Sequence, residues 1–114
     1  MELTGKCKEE FDKWYNERYR LTDVGRYFQF EKLSDAMQYG VIVDYFASVN
    51  IIVDIQPILD YSNDSYTSVN GFIINVTSLN TKVDLDEEML EADTRPEART
   101  KSVIKADEIR NEQL

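Results

Sequence analysis

The chain of 114 residues contains no histidine. Histidine is the side chain most used for proton transfer near neutral pH and a common ligand of transition metals, so the most frequent acid–base and zinc chemistries lose their usual residue. The four glycines are scattered, and no segment matches a glycine-rich phosphate loop or a GxSxG nucleophile motif. The sequence therefore predicts a protein that is not an enzyme, and we expect no cofactor.

Cysteine is almost absent as well. The single Cys7 cannot form a disulfide within the chain, which fits a reducing compartment. The flanking Lys6 and Lys8 would lower the pKa of its thiol and increase its reactivity. Cys7 nevertheless shares a predicted helical face with Phe11, and free cysteines on apolar faces are usually buried. We therefore expect an unreactive thiol in the core.

Long apolar runs are also missing. No uncharged apolar stretch approaches the roughly 18 residues needed to span a bilayer, and the first residues carry no apolar run of the signal-peptide kind. We expect a protein of the cytoplasm that makes no contact with a membrane.

Positive charge is missing from the middle of the chain. No Lys or Arg occurs between Lys32 and Lys82, and residues 33–114 hold fifteen acids and six bases, which carry the whole net charge of −9. Such a surface repels phosphate and disfavours nucleic-acid binding. An acidic surface of this kind keeps a protein soluble. The alternative is an acidic face that binds a basic partner or imitates nucleic acid.

Two segments in the first half have helical periodicity. From Glu2 to Tyr19, apolar residues recur at three- and four-residue steps, with Thr4 as the expected cap. A second helix is expected to start near Ser34, which precedes a long apolar pattern. Its run VIVDYF also fits a strand, but the length of the pattern and the flanking helix formers favour a helix. We expect this helix to be the most buried one.

From Ile51 the apolar period changes to two, and β-branched residues dominate. Pro57 cannot donate to a ladder, so this strand ends there or lies on an edge. The pair Asn70–Gly71 is a strong signal for a hairpin turn. We predict a three-stranded antiparallel meander with strands at 51–58, 65–69 and 72–79, followed by a short helix at 83–93 capped by Asp84.

The last segment predicts a helix that begins with a capping box. Thr94 would accept a hydrogen bond from the Glu97 N–H while Glu97 reaches back to Thr94, and Pro96 lies in the first turn, where its missing donor has no consequence. Small residues on one face (Ala98, Ser102, Ala106) predict close packing on the sheet, and the outer face carries Arg99, Lys101, Lys105, Glu108 and Arg110. Together the elements predict one α+β domain, helix–helix–three strands–helix, with the helices on one face of a small sheet.

Three segments carry a resemblance. FDKWYNERY, MQYGVIVDYFASVNI and TRPEARTKSVIKADEIRNEQL resemble segments of small proteins encoded by phages and prophages of gut Bacteroidales bacteria, whose C-termini follow the pattern TRxEARxxAIxKAxEIxN. Ser102 and Val103 stand here where alanine and isoleucine are more usual, and Asp107 replaces a common asparagine. The resemblance covers most of the chain. It implies a phage or mobile-element accessory protein, and it implies neither an activity nor a catalytic residue.

Candidate binding residues fall in two segments. The polar loop after the first strand contributes Tyr61, Asp64 and Tyr66, and the densest group of carboxylates follows the last predicted strand. That group lacks the mid-loop glycine of a calcium-binding EF-hand, so we expect a solvated acidic face and no metal site. The second segment contributes Asp84, Asp86, Glu87, Glu88 and Arg95.

These patterns favour a non-catalytic binding protein of a phage or mobile element. Its acidic surface would bind a host or phage protein with a basic surface in the bacterial cytoplasm, and one role of such binding is inhibition of a host factor or defence enzyme. Two alternatives stay open. One is a structural or assembly protein, such as a homodimer or a virion component, and the other is a pocket for a small ligand or nucleotide lined by Tyr61, Tyr66 and residues 84–95.

Overall fold

The structure, a computed structural model, describes residues 1–19, 29–62, 64–79 and 86–114. These residues form an α+β domain, and its three strands pair antiparallel in the order β1-β2-β3. The predicted fold class is therefore confirmed. The elements are α1 (Gly5–Tyr19), a 3-10 turn (Phe30–Lys32), α2 (Asp35–Ser48), β1 (Ile51–Ser62), β2 (Ser65–Ser78), β3 (Asp86–Ala92) and α3 (Arg95–Gln113).

The core lies between the sheet and the helices. Helix α3 packs on all three strands, α2 packs on β1, and α1 contacts both other helices. The small residues Ala98, Ser102 and Ala106 are fully buried, which lets α3 approach the sheet closely, as predicted. Because α3 contacts all three strands and has six buried residues against three in α2, the expectation that the second helix is the most buried one is wrong.

The starts of two helices follow the sequence signals. Ser34 accepts a hydrogen bond from the Met37 N–H at 3.3 Å and caps α2, so VIVDYF is helical as predicted. Thr94 accepts from the Glu97 N–H at 3.3 Å, which confirms one half of the capping box. The carboxylate of Glu97 accepts from the N–H of Asp93 and not from that of Thr94.

The first helix is capped by a distant residue. It begins at Gly5, and the Thr4 carbonyl accepts the first helical hydrogen bond, from the Lys8 N–H at 3.1 Å. The Thr4 hydroxyl donates to the Asp107 carboxylate at 2.6 Å, so the Thr4 side chain does not cap α1. The Cys7 N–H donates instead to the side-chain oxygen of Asn111 at 2.9 Å. Sequence reasoning missed this contact because the donor and the acceptor are 104 positions apart.

The predicted hairpin turn at Asn70–Gly71 is wrong. Strand β2 runs unbroken through both residues, and the chain turns between Ser62 and Ser65. Gly71 has the positive φ that the signal requires, +119°, but it lies at a register shift inside the strand. A glycine of positive φ fits a β-bulge as well as a turn, and here the long pairing of β1 with β2 selects the bulge.

The predicted short helix at 83–93 is also wrong where the structure describes it, since residues 86–92 form β3. Residues 86–92 pair antiparallel with the second half of β2, where Leu90 lies opposite Ile74 and Ala92 lies opposite Phe72. The predicted cap Asp84 lies outside the described residues. This segment is a strand because it forms backbone hydrogen bonds with β2, and these depend on a distant part of the chain and not on the helix propensity of the segment.

Candidate functional site

Strands β1 and β2 extend well beyond β3. The β2–β3 pairing ends at Phe72–Ala92, whereas the β1–β2 pairing continues to Ser62–Ser65. Residues 58–62 and 64–71 therefore form a two-stranded ribbon, called the arm below, that projects by roughly 17 Å at about 3.3 Å per residue. The radius of gyration of 16.1 Å exceeds the roughly 13 Å of a compact chain of similar length, as a projecting arm requires.

One face of the arm carries an apolar stripe. Leu59 pairs with Val69 and Tyr61 pairs with Tyr66, and alternation along β1 places both pairs on the same side of the ribbon. Their exposed fractions are 45% for Leu59, 54% for Val69, 61% for Tyr61 and 70% for Tyr66. These are large apolar side chains outside the core, and they adjoin one another.

The two tyrosines contact each other across the ribbon. Their ring centroids lie 5.3 Å apart at an interplanar angle of 65°, an edge-to-face arrangement. Such cross-strand aromatic pairs stabilise a ribbon by roughly 0.2–1 kcal/mol and fix the orientation of both rings. The tyrosine pair therefore presents a rigid apolar surface near the tip of the arm.

The remaining features of the arm are polar and anionic. Ser68, opposite Asp60 in register, donates a hydrogen bond to its carboxylate at 3.0 Å. Asp64 has a positive φ of +61° at the tip, a conformation that aspartate tolerates better than most residues. Residues 58–71 contain two acids and no base. Alternation places Asp60 and Ser68 on the face opposite the apolar stripe, so the charge nearest the stripe within the arm is that of Asp64 at the tip.

The other predicted binding residues do not join the tyrosines. Asp86, Glu87 and Glu88 pair in register with Ser78, Thr77 and Val76, at the end of β2 opposite the arm. That end lies roughly 30–40 Å along the strand from Tyr66. Asp84 is outside the described residues. The pocket expected between Tyr61, Tyr66 and these acids is therefore not formed by the residues that the structure describes.

Arg95 lies nearer to the arm. Its guanidinium is 4.9 Å from the ring centroid of Phe72, the β2 residue at which the arm begins. This cation–π contact ties the start of α3 to the sheet. Arg95 is exposed, and its contact with Phe72 places it near the base of the arm.

A buried polar cluster joins α1, α2 and α3. Arg110 donates from Nε and Nη2 to the two carboxylate oxygens of Glu10 at 2.9 and 2.8 Å, and the Tyr45 hydroxyl donates to Glu10 at 2.7 Å. The Cys7 sulfur lies 3.8 Å from the Tyr45 oxygen. Arg110 was expected on the outer face of its helix, but the ion pair draws it against α1.

The chemistry of this cluster is that of a structural support. Burial, followed by a hydrogen bond toward Asp107, raises the pKa of the Cys7 thiol to about 12, so the thiolate is absent near neutral pH. Burial, followed by the hydrogen bond to Glu10, also raises the pKa of Tyr45. The Arg110 hydrogen bonds hold the pKa of Glu10 below its ordinary value. The expected core position of the thiol is confirmed: Cys7 is fully buried.

A shallow groove of about 350 Å³ lies between β3 and α3, lined by Leu90, Glu91, Lys101, Ile104, Lys105 and Glu108. Lys101 donates to the backbone oxygen of Glu91 at 2.9 Å and contacts Glu97 at 3.0 Å. A lysine that occupies a backbone acceptor of an edge strand hinders the addition of another strand there. This groove is therefore a weaker candidate than the arm.

The described residues offer neither a metal site nor a membrane-spanning helix. Within the parts of the chain that the structure describes, no group of three acidic or cysteine side chains is placed to hold a metal ion. No described helix combines the length and the apolar character that crossing a bilayer demands. Comparison with family models, with curated proteins and with solved structures gave no match to this chain.

Proposed function

We propose that this chain is a non-catalytic protein that binds another protein of basic surface, with the arm as its contact surface. One observation carries the proposal: four exposed apolar side chains adjoin one another on a ribbon that stands outside the core. Contiguous apolar surface of this kind is uncommon on a soluble protein without a partner and is typical of a docking site. Two of the four side chains are tyrosines, which are enriched among residues that dominate binding energy.

The charge of the arm supports a basic partner. Asp64 lies at the tip beside the tyrosine pair, and Asp60 lies on the opposite face of the ribbon. No Lys or Arg lies between Lys32 and Lys82. Negative charge around an apolar contact accelerates encounter with a positively charged surface and discriminates against acidic proteins. The charge of the arm and of the chain around it is therefore the support for a partner with a basic surface.

The buried cluster supports the non-catalytic part of the proposal. Cys7, Tyr45 and Glu10 are the described groups that come closest to a reactive constellation, and Cys7 and Tyr45 are buried and protonated near neutral pH. Glu10 is occupied by two hydrogen bonds from Arg110 and one from Tyr45. A general base needs access to a substrate proton, which this arrangement does not give.

The biological setting in this proposal comes from the resemblance of the helical segments to phage and prophage proteins of gut Bacteroidales. The protein would act in the cytoplasm of such a host, on a host or phage protein whose basic surface serves nucleic-acid handling or defence. Burying the active surface of such an enzyme would inhibit it.

The test is affinity capture from Bacteroidales lysate with immobilised full-length protein, at about 50 mM and about 500 mM salt. Asp60→Asn with Asp64→Asn should reduce the retained amount of a basic protein at low salt. The matched control, Asp44→Asn with Glu112→Gln, removes the same charge from exposed positions of α2 and α3 and should retain the wild-type amount. The electrostatic proposal is contradicted if the retained amount of the basic protein changes neither with salt concentration nor with the arm substitutions.

The apolar stripe also favours a second candidate, a homo-oligomer built by contact between arms. Light scattering across a concentration series separates the two. A hetero-binding protein stays monomeric, whereas an assembly protein gives a defined oligomer that Tyr61→Ala and Tyr66→Ala dissociate. Each arm carries two acids and no base, so a contact between two arms brings together surfaces of like charge, which favours the first candidate.

A further inference from the structure

We infer that the arm contacts its partner with its apolar face and not by strand addition, and that this face enters an apolar cleft rimmed by Lys and Arg on a folded protein. The inference rests on the proposed function and adds the mode of recognition and the chemistry of the complementary surface. Two modes are available to an exposed ribbon. In one a partner strand pairs with a free edge, and in the other the side chains of one face fill a pocket.

The β1 edge of the arm is a poor template for strand addition. Pro57 lies in the strand opposite Phe72 and has no N–H to give to a further strand. Within a sheet, proline occurs where its nitrogen faces away from the existing ladder, so the missing donor belongs to the free edge. A partner strand would therefore leave one of its acceptors unpaired at the base of the arm.

The β2 edge of the arm is irregular. Its two register shifts leave Asn70 and Gly71 opposite Ile58 alone, and Thr67 without an opposite residue. The carbonyl oxygen of Ala92, at the end of β3, lies 3.1 Å from where a Cβ on Gly71 would be. Bulges twist an edge and break the even spacing that strand addition requires. Both edges are thus protected against pairing.

The face of the arm has the opposite character. Leu59, Val69, Tyr61 and Tyr66 are held in register by backbone pairing, and the two rings contact each other edge to face. The bound orientation is therefore largely present before binding, which reduces the entropy lost when a partner closes over it. Tyrosine rings with exposed hydroxyls suit a cleft that is apolar in its floor and polar at its rim.

The charge at the tip defines that rim. Asp64 carries a carboxylate at the tip, beside the tyrosine pair, whereas Asp60 carries one on the opposite face of the ribbon. The arm offers no positive charge of its own. A cleft rimmed by Lys and Arg complements both the shape and the charge. A second copy of this arm supplies further carboxylates and no positive charge, so the occupant that the observations favour is a different, basic protein.

The test uses the basic protein retained by the capture experiment, purified, with binding to the full-length chain measured by titration calorimetry. Tyr61→Ala with Tyr66→Ala should weaken binding by about 10- to 100-fold, the range of central aromatic anchors. Tyr61→Phe with Tyr66→Phe keeps both rings and should bind within about fivefold of the wild type. Ile104→Ala, an equally exposed apolar side chain on α3, is the matched control and should leave the affinity unchanged.

Pro57→Ala distinguishes the face from the edge. The substitution restores a backbone donor to the free edge of β1, so strand addition would strengthen binding, whereas face recognition leaves the affinity unaltered. Thermal unfolding of each variant verifies that the fold is retained, as expected for exposed side chains. The inference is overturned when the double alanine variant binds like the wild type or when Pro57→Ala strengthens binding. If the wild type retains no basic protein, the proposed function fails first, and the two failures are distinguishable.

Discussion

The side chain of Asn111, near the end of α3, caps the first turn of α1 at Cys7. Its oxygen accepts the Cys7 N–H at 2.9 Å, and its nitrogen donates to the Thr4 carbonyl at 3.0 Å. The carboxylate of Asp107, one turn earlier in α3, accepts from the Thr4 N–H at 2.9 Å. The two ends of the sequence are therefore joined by hydrogen bonds that satisfy otherwise unpaired donors at a helix start.

Asn111→Ala should lower the free energy of unfolding by about 1–2 kcal/mol, the loss typical of removing a helix cap. Chemical denaturation monitored by circular dichroism gives this value. Glu112→Ala, at an exposed neighbouring position, is the control and should change stability by less than about 0.5 kcal/mol. A neutral outcome for Asn111→Ala would mean that water replaces the side chain at no cost.

Two glycine substitutions should have opposite signs. Gly71→Ala should destabilise the fold by about 1–3 kcal/mol, because φ is +119° there and a Cβ would lie 3.1 Å from the Ala92 oxygen. Gly40→Ala should stabilise it by about 0.5–1 kcal/mol, because this helical position has no atom within 4 Å of the added carbon. Paired denaturation curves test both. Equal effects would contradict the bulge geometry assigned to Gly71.

The Glu10–Arg110 ion pair should make stability depend on pH. Hydrogen bonds from Arg110 hold the pKa of Glu10 below its ordinary value of 4.5 in the folded state. This contribution is therefore fully present above pH 4.5 and is lost as the pH falls through the lowered value. Glu10→Gln should cost about 1–3 kcal/mol at pH 7, where it removes a charge-assisted hydrogen bond.

The difference between wild type and Glu10→Gln should then narrow as the pH is lowered from 5 toward 3, since protonation of Glu10 removes the same charge. Denaturation midpoints across this window provide the measurement. Glu9→Gln, whose side chain is exposed, should follow the wild type throughout. If the stability difference between wild type and Glu10→Gln stays constant with pH, packing and not ionisation accounts for the lower stability of the variant.

The Cys7 thiol should resist modification in the native protein. It is fully buried and its pKa is raised to about 12, so a disulfide reagent should react only as fast as the fold opens. Ala47→Cys adds a thiol at an exposed position of α2 and should react at once with one equivalent. Rapid labelling of Cys7 without denaturant would contradict the packing around α1.

The starts of α2 and α3 and the small-residue face of α3 could be predicted because each depends on residues within one or two turns. Ser34 and Thr94 act as caps through hydrogen bonds three residues along the chain. The position of Arg110 could not be predicted in this way. Helical periodicity placed it on the outer face, whereas its partner Glu10 lies 100 residues away.

The apolar stripe of the arm could not be predicted from the sequence either. A polar, turn-rich segment indicates Tyr61 and Tyr66 as candidate binding residues, but the stripe depends on which residues pair across the ribbon. That pairing makes Leu59 and Val69 part of the same surface. The sequence patterns do not single out either residue. The signal that identifies Leu59 is the apolar alternation of β1, which continues past Pro57.

Composition and short-range periodicity are enough to predict the α+β class, the helices with local caps, the first strand and the anionic character of the chain. Contacts between distant parts of the folded chain make Gly71 a bulge, pair residues 86–92 as a strand and cap α1 with a side chain of α3. Those outcomes depend on backbone and side-chain partners far apart in sequence, and a local pattern carries no information about which distant partner satisfies a hydrogen bond.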